Sequence, residues 1–191
     1  MIPRSGTFVL FIRHGERAPL PPDDPYADVD LTPAGYEAVG ALARGLGGRL
    51  NWTAASPFLR CRVTARGLGL EPEDDTRLGR HGPWIADHAA AGGAFSRLGT
   101  EGVVRAQVAG ESLPGIRTPE QAVPILLSAG LDRLQRGSGA CVTHDAVLMP
   151  AMAWLFGADA ADEWLSPLGG FALELRADGP VAVWNGRERR C

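Results

Sequence analysis

Residues 8–19 read Phe8-Val9-Leu10-Phe11-Ile12-Arg13-His14-Gly15-Glu16-Arg17-Ala18-Pro19. The first five residues form a continuous apolar run, which is typical of a strand buried in a parallel sheet. The run ends in a turn that Gly15 makes possible, and His14 lies there between Arg13 and Arg17. Arginines bring a fixed positive charge, and an imidazole can act as a nucleophile. This stretch therefore predicts a nucleophilic histidine inside an anion pocket.

Strand-like and helix-like segments alternate along the rest of the chain. Further strands are predicted over residues 52–55, 140–143, 171–176 and 180–184. Helices are predicted from Thr32, as N-cap, and Pro33 to Gly47, and over 56–68, 102–111, 119–135 and 146–156. This alternation predicts an α/β fold, a three-layer sandwich with a mostly parallel central sheet. We expect one domain over 1–191, in which residues 70–99 form an irregular small cap over the site.

The composition is that of an ordinary globular protein and excludes some kinds of site. The chain has 191 residues, 45% of them hydrophobic, and its formal net charge of −3 gives no reason to expect nucleic acid as a partner. The sequence contains no lysine, which excludes a lysine Schiff base and a Walker-type phosphate loop. The three cysteines, Cys61, Cys141 and Cys191, lack zinc-like spacing and favour a reducing cytoplasm. No apolar run suits a secretory leader or a membrane span, and we expect no metal or other cofactor.

Two later segments carry chemistry at predicted strand ends. Ser56-Pro57 follows the strand over 52–55 and leads to Arg60, and His144-Asp145 follows the strand over 140–143. Ligands of open α/β sheets bind beyond the carboxyl ends of the strands, so these groups are expected to meet the residues after the first strand. Guanidinium groups bind the oxygens of a phosphoryl group bidentately and stay charged at any working pH. The pattern favours a phosphate-ester site.

These segments resemble the motifs of the histidine phosphatase superfamily, and they occur in the same order. Arg-His-Gly-x-Arg-x-Pro at 13–19 is similar to its acid phosphatase/phytase branch, and the Ser-Pro-x-x-Arg segment and the later histidine also match. The resemblance implies a phosphoglycerate mutase-like fold. It also implies that His14 accepts the phosphoryl group, and that Arg13, Arg17, Arg60 and His144 bind phosphate. His144, if protonated, would add a hydrogen-bond donor to the developing charge.

A general acid is needed to protonate the leaving alcohol of an unactivated ester. Asp145 matches the His-Asp pair that supplies this acid in the acid phosphatase branch, and it is the favoured candidate. Asp87 is the alternative, because the phosphoglycerate mutase branch places its acidic residue at that distance after the second arginine. A structural explanation also exists for Asp145, as the N-cap of a helix that begins at Ala146. The two roles are compatible.

The chain differs from the acid phosphatase branch in size. That branch usually has a large helical insert between the second arginine and the second histidine, whereas Arg60 and His144 lie close in this sequence, as in the compact mutase-like branch. The resemblance implies a metal-independent phosphomonoester hydrolase that acts through a phosphohistidine on a small phosphorylated metabolite or a phosphoprotein. A phosphomutase, and a phosphate-ester-binding protein without turnover, are the alternatives. No oligomeric state is predicted.

Overall fold

A seven-stranded mixed sheet forms the centre of the computed structural model, which describes residues 3, 6–21, 24, 27–79 and 82–191. The strands are β1 Phe8–Arg13, β2 Trp52–Ala55, β3 Glu73–Asp74, β4 Gly139–Thr143, β5 Gly170–Arg176, β6 Gly179–Trp184 and β7 Arg187–Arg190, in the spatial order β3-β2-β4-β1-β5-β6-β7. The first four are parallel to one another, and each later strand is antiparallel to its predecessor in that order. Because β6 thus points the same way as β1, five of the seven strands share one direction. The predicted mostly parallel sheet is confirmed, with an antiparallel C-terminal edge.

Helices cover both faces of this sheet. They are α1 Pro33–Leu46, α2 Leu59–Gly67, α3 His88–Val108, α4 Pro119–Leu131 and α5 Asp145–Phe156. Successive side chains of β1 point to opposite faces, as the period of a strand requires. Leu10 and Ile12 pack in the core that α1 and α2 cover, and Phe11 packs in the core that α4 and α5 cover. The three-layer sandwich is therefore confirmed.

The register of the parallel strands brings the chemical residues together. Arg13 of β1 pairs with Thr143 of β4, so that His14 and His144 leave the sheet side by side. The backbone N–H of His14 donates to the Thr143 carbonyl at 3.0 Å. Strand β2 lies on the other side of β4, and the N–H of Ser56 donates to the Val142 carbonyl at 2.9 Å. Three strands thus end around one position, at the edge where an α/β sheet binds ligands.

The prediction that residues 70–99 are irregular is wrong for much of the segment. Residues 73 and 74 pair with β2, and a helix begins at His88 and ends at Val108, within the helix expected at 102–111. Asp87 caps this helix, and Gly99, with φ 65°, interrupts its helical backbone. The run of alanine and glycine over 89–93 supplies few large apolar residues, which is why its helical period is hidden. Residues 80 and 81 lie outside the described residues, and the cap over the site stays a prediction.

Other differences from the sequence expectations lie at element ends. Helix α2 begins at Leu59 rather than at Ser56, and α4 ends at Leu131, where a short 3₁₀ helix over Leu134–Arg136 follows. Strand β7 was not expected, because its sequence Arg-Glu-Arg-Arg lacks apolar alternation and all four residues are exposed. It forms through backbone pairing with β6. Among the residues that the structure describes, no helix is long and apolar enough to cross a membrane.

Candidate active site

His14 is buried just beyond the end of β1, with 3% of its surface exposed. Its Nδ1 atom lies 2.7 Å from the Gly15 carbonyl oxygen. A carbonyl oxygen can only accept, so Nδ1 carries the proton and Nε2 keeps its lone pair. The backbone of the turn therefore fixes the tautomer in which Nε2 carries the lone pair, as a nucleophilic atom must.

Burial is also the main influence on the charge of this ring. The pKa of His14 is lowered from 6.5 to about 4, chiefly by desolvation, with a smaller contribution from the positive charges of Arg60 and Arg13. The hydrogen bond to Gly15 and the charge of Asp145 act in the opposite direction. At neutral pH the imidazole is therefore neutral and able to attack.

Arg60 lies on the first turn of α2, and its guanidinium is buried between the two histidines. Its Nε donates to Nε2 of His14 at 3.3 Å, and its Nη2 lies 3.5 Å from Nδ1 of His144. The ring of Phe58 lies under the guanidinium, with 4.7 Å between the ring centroid and Cζ. Arg60, the predicted phosphate-binding arginine, follows β2 and thus contacts the imidazoles that follow β1 and β4.

His144 is buried against Ser56. Its Nε2 atom lies 2.9 Å from the Ser56 hydroxyl oxygen. Because Arg60 can only donate, Nδ1 of His144 accepts from it, and the proton of the ring lies on Nε2 toward the hydroxyl. The neutral ring fits both contacts, so the expected donation from His144 to phosphate requires a second proton, on Nδ1.

Arg13 and Asp145 form an ion pair next to the nucleophile. Arg13 Nη2 lies 2.8 Å from Asp145 Oδ2, and both side chains are largely buried. The same oxygen accepts from the indole Nε1–H of Trp164 at 2.8 Å, and Asp145 Oδ1 accepts from the backbone N–H of Ala146 at 2.8 Å. Arg13 Nη1 also donates to the Leu165 carbonyl. The carboxylate of the favoured acid is therefore held by three donors.

The N-cap interpretation of Asp145 is displaced by one residue. The N-cap of α5 is His144, and Asp145 is the first residue of the helix. A carboxylate in the first turn is stabilised by the helix dipole, which accounts for an aspartate there as well as the cap would.

Asp87 has a different environment. It is exposed at the start of α3, where its Oδ1 accepts from the backbone N–H groups of Ala89 at 2.8 Å and Ala90 at 3.2 Å. These are the contacts of an N-cap. The ion pair described for Arg13 is made by Asp145, so the geometry favours Asp145 of the two predicted acids.

Arg17 and Asp28 lie at the rim of the site. Arg17 is half-buried, donates to the Ala18 carbonyl at 2.9 Å, and contributes positive charge that lowers the pKa of Arg13, although burial is the larger cause. Asp28 accepts from the backbone N–H of Leu59 at 2.8 Å, and its carboxylate lies 3.8 Å from Arg60 Nη1. An acidic group thus lies next to Arg60, at the N-terminus of α2.

Four residues of this arrangement were missed by the sequence reasoning: Ser56, Thr64, Asp28 and Trp164. Thr64 accepts from the backbone N–H of Gly15 at 2.9 Å and donates to the Arg60 carbonyl at 2.7 Å. Its place one helical turn after Arg60 is a signal that could have found it. Trp164 carries no local signal, because it reaches Asp145 only through the packing of the fold.

The Cys61 thiol and the acidic side chains complete the description of the site. Burial raises the pKa of the Cys61 thiol to about 12, which keeps this neighbour of Arg60 neutral. Within residues 3, 6–21, 24, 27–79 and 82–191, no group of three or more His, Cys, Asp or Glu side chains is placed to hold a metal ion. The positive charge of the site comes from guanidinium groups.

Comparisons with solved structures show which proteins the fold is similar to. A phosphoserine phosphatase mutant from Entamoeba histolytica, solved with phosphoserine, is similar in structure with a TM-score of 0.63 and 17% identity, over 93% of this chain and 95% of that one. The mycobacterial glucosyl-3-phosphoglycerate phosphatase solved with VO3 has a TM-score of 0.57 and 18% identity, over 88% and 93% of the two chains. Comparison with curated protein sequences gives no significant match.

The structural likeness confirms the predicted fold, and a family match covers most of the sequence. The sequence model described as histidine phosphatase superfamily (branch 1) matches residues 9–173, from β1 into β5. This range contains all the predicted site residues. The chain belongs to the histidine phosphatase superfamily, as its motifs indicate.

Proposed function

We propose that this protein is a metal-independent phosphomonoester hydrolase that acts through a phosphohistidine at His14. The observation that carries the proposal is the 3.3 Å contact between Arg60 Nε and His14 Nε2. It places a permanent positive charge beside a neutral imidazole nitrogen whose lone pair the Gly15 carbonyl has fixed in place. A phosphoryl group attacked by that nitrogen would have its oxygens next to the guanidinium.

The first step is an in-line displacement at phosphorus. Nε2 of His14 forms a bond to phosphorus while the bond to the ester oxygen breaks, and that oxygen takes a proton from the carboxyl group of Asp145, which takes up this proton from water when Arg13 turns to the phosphoryl oxygens. Arg13, Arg60 and Arg17 neutralise the charge on the equatorial oxygens, and His144 adds a donor if Nδ1 is protonated. The alcohol leaves, and His14 keeps the phosphoryl group.

The second step returns the enzyme to its starting form. A water molecule attacks the phosphohistidine on the side that the alcohol has left, and the Asp145 carboxylate takes a proton from that water. The bond between Nε2 and phosphorus breaks, inorganic phosphate forms, and its oxygens remain on the same arginines until it leaves. Asp145 then carries the proton that the next ester needs.

The structural relatives support a proposal for the substrate class. The similar solved proteins are described as phosphatases for phosphoserine and for glucosyl-3-phosphoglycerate, which are small phosphorylated metabolites. We propose a substrate of this class, and keep an exposed phosphoryl group on a protein as the alternative. The carboxylate of Asp28 beside Arg60 favours an alcohol part without a second negative charge near α2.

The test is a hydrolysis assay of the purified full chain in the presence of a chelator. Phosphoserine, 3-phosphoglycerate, p-nitrophenyl phosphate and a phosphopeptide are offered to the wild type, to His14→Gln, and to His88→Gln as an exposed histidine control. Release of phosphate by the wild type and the control, but not by His14→Gln, supports the proposal. A phosphoryl adduct detected on His14 after an alkaline quench supports the intermediate.

Other outcomes point to the alternatives. A stable adduct that transfers its phosphoryl group to a second alcohol, without release of phosphate, would indicate a phosphomutase. Absence of turnover with every ester, together with stabilisation of the fold by phosphate, would indicate a binding protein.

A further inference from the structure

The connection between α5 and β5 makes contacts with both members of the Arg13–Asp145 pair. The indole N–H of Trp164 donates to Asp145 Oδ2 at 2.8 Å, and the next residue, Leu165, accepts from the guanidinium of Arg13. The backbone N–H of Arg13 donates to the Gly169 carbonyl at 2.8 Å. This connection therefore sets the position of a phosphate ligand and of the proposed acid at the same time.

Two of the three donors to Asp145 do not depend on phosphate. Arg13 is shared, because its guanidinium is expected to turn toward the oxygens of a bound phosphoryl group. Trp164 Nε1 holds Oδ2 and Ala146 N holds Oδ1, and neither donor competes for the substrate. When Arg13 engages phosphate, these two contacts still fix the plane of the carboxyl group.

The indole suits this task because it is a neutral donor. A second cation at Oδ2 would hold the carboxylate in its ionised form, which cannot donate a proton. The indole N–H orients the same oxygen without adding a full charge. It is a donor only, so it cannot take the proton that the leaving alcohol requires.

Trp164 is itself fixed from two sides. It packs against a small core formed by Val104 of α3, Met149 of α5 and Ala161. The guanidinium of Arg105 lies over its ring, with 5.8 Å between Cζ and the ring centroid. Arg105 also donates to the carbonyls of Ala161 at 3.3 Å and Asp162 at 3.1 Å, which secures the start of the connection.

We propose that Trp164 is a positioning residue, which holds the carboxyl group of Asp145 toward the leaving group during hydrolysis. The inference rests on the proposed function and adds to it a residue that acts only through Asp145. It concerns the proton that the leaving alcohol takes, and not the attack by His14 or the binding of phosphate. Its effect is therefore expected to depend on the leaving group.

The test compares Trp164→Phe with the wild type on two esters. An alkyl phosphate has a poor leaving group that needs a proton, whereas p-nitrophenolate leaves without one. We expect kcat/KM for the alkyl ester to fall about tenfold to a hundredfold, while kcat/KM for p-nitrophenyl phosphate, which does not include the hydrolysis of the phosphohistidine, changes by less than about threefold. Asp145→Asn should show the same dependence on the ester, and Trp164→Phe should add little to it in the double variant.

The chain offers a matched control. Trp154 is also half-buried, and its indole donates to a carboxylate oxygen, Glu120 Oε1, at 3.2 Å. It lies near the C-terminal end of α5, whereas Asp145 is the first residue of that helix. Trp154→Phe should leave the ratio of the two rates unchanged. Equal losses on both esters in Trp164→Phe would show a general disturbance of the site and overturn the inference, as would full activity on the alkyl ester.

A spectroscopic measurement tests the contact without turnover. In ¹H–¹⁵N spectra the indole signal of Trp164, assigned by its loss in Trp164→Phe, should move as Asp145 titrates, and should not do so in Asp145→Asn. A signal that ignores Asp145 would overturn the inference. A wild type that hydrolyses neither ester would overturn the proposed function instead, and the two failures are thereby distinguished.

Discussion

Arg60 Nε donates to His14 Nε2 at 3.3 Å, so the arginine that follows β2 contacts the imidazole that follows β1. The contact depends on the burial of both residues, which keeps water from screening it. The guanidinium of Arg60 donates to the lone pair of Nε2. It must therefore move to the phosphoryl oxygens when that lone pair forms the bond to phosphorus. The same group would thus orient the nucleophile first and neutralise the transferred group afterwards.

Replacement of Arg60 should therefore weaken the binding of the substrate and slow the transfer of the phosphoryl group. Arg60→Gln is expected to lower kcat/KM about a hundredfold to a thousandfold, because one preorganised positive group is lost from the transition state. Arg62→Gln is the control, since Arg62 lies on the same helix and pairs on the surface with Asp74 at 2.7 Å. Steady-state kinetics on p-nitrophenyl phosphate measures both. Similar losses in the two variants would mean that α2 is merely destabilised.

The lowered pKa of His14 predicts a dependence of stability on pH. Between pH 4 and 6.5 the unfolded chain binds a proton at this residue and the folded chain does not, so stability rises with pH across this range. The contribution of His14 is lost as pH falls, by at most about 3 kcal/mol. Chemical denaturation of the wild type and His14→Gln at several pH values measures it. An equal slope in both proteins would contradict the lowered pKa.

The two acid candidates should respond differently to substitution. Asp145→Asn is expected to lower kcat for an alkyl phosphate by about 10²- to 10⁴-fold, because the leaving oxygen loses its proton donor. Asp87→Ala should leave kcat within about twofold but lower the free energy of unfolding by about 1 kcal/mol, because α3 loses its N-cap. Kinetics and denaturation of both variants decide between them. The reverse pattern would make Asp87 the acid.

The carboxylate of Asp28 should weaken the binding of phosphate. It lies 3.8 Å from Arg60 Nη1 and would repel an anion bound there, although half of its side chain is exposed and water screens the charge. Asp28→Asn is expected to lower the inhibition constant of inorganic phosphate about threefold to tenfold. Asp30→Asn is the control, because Asp30 accepts from Tyr36 Oη at 2.9 Å. Weaker inhibition in Asp28→Asn would show instead that the carboxylate holds Arg60 in place.

The sequence by itself determined the features that depend on local pattern. The apolar run before Arg13 makes β1, and Thr32 with Pro33 begins α1, where the Thr32 hydroxyl accepts from the Gly35 N–H at 3.0 Å. The histidine at each of two strand ends could be read in the same way, because a strand and the turn after it lie within a few residues.

The contacts that these groups make, and the environment of each, could be learned only from the tertiary structure. The parallel register of β1 and β4 sets His14 beside His144, and the fold brings Trp164 to Asp145. The lowered pKa of His14 also arises in this way, since burial comes from the packing of whole layers. Such contacts join residues far apart in the chain, and no periodicity or spacing encodes them; they exist because the sheet order and the helix layers place those side chains in one volume.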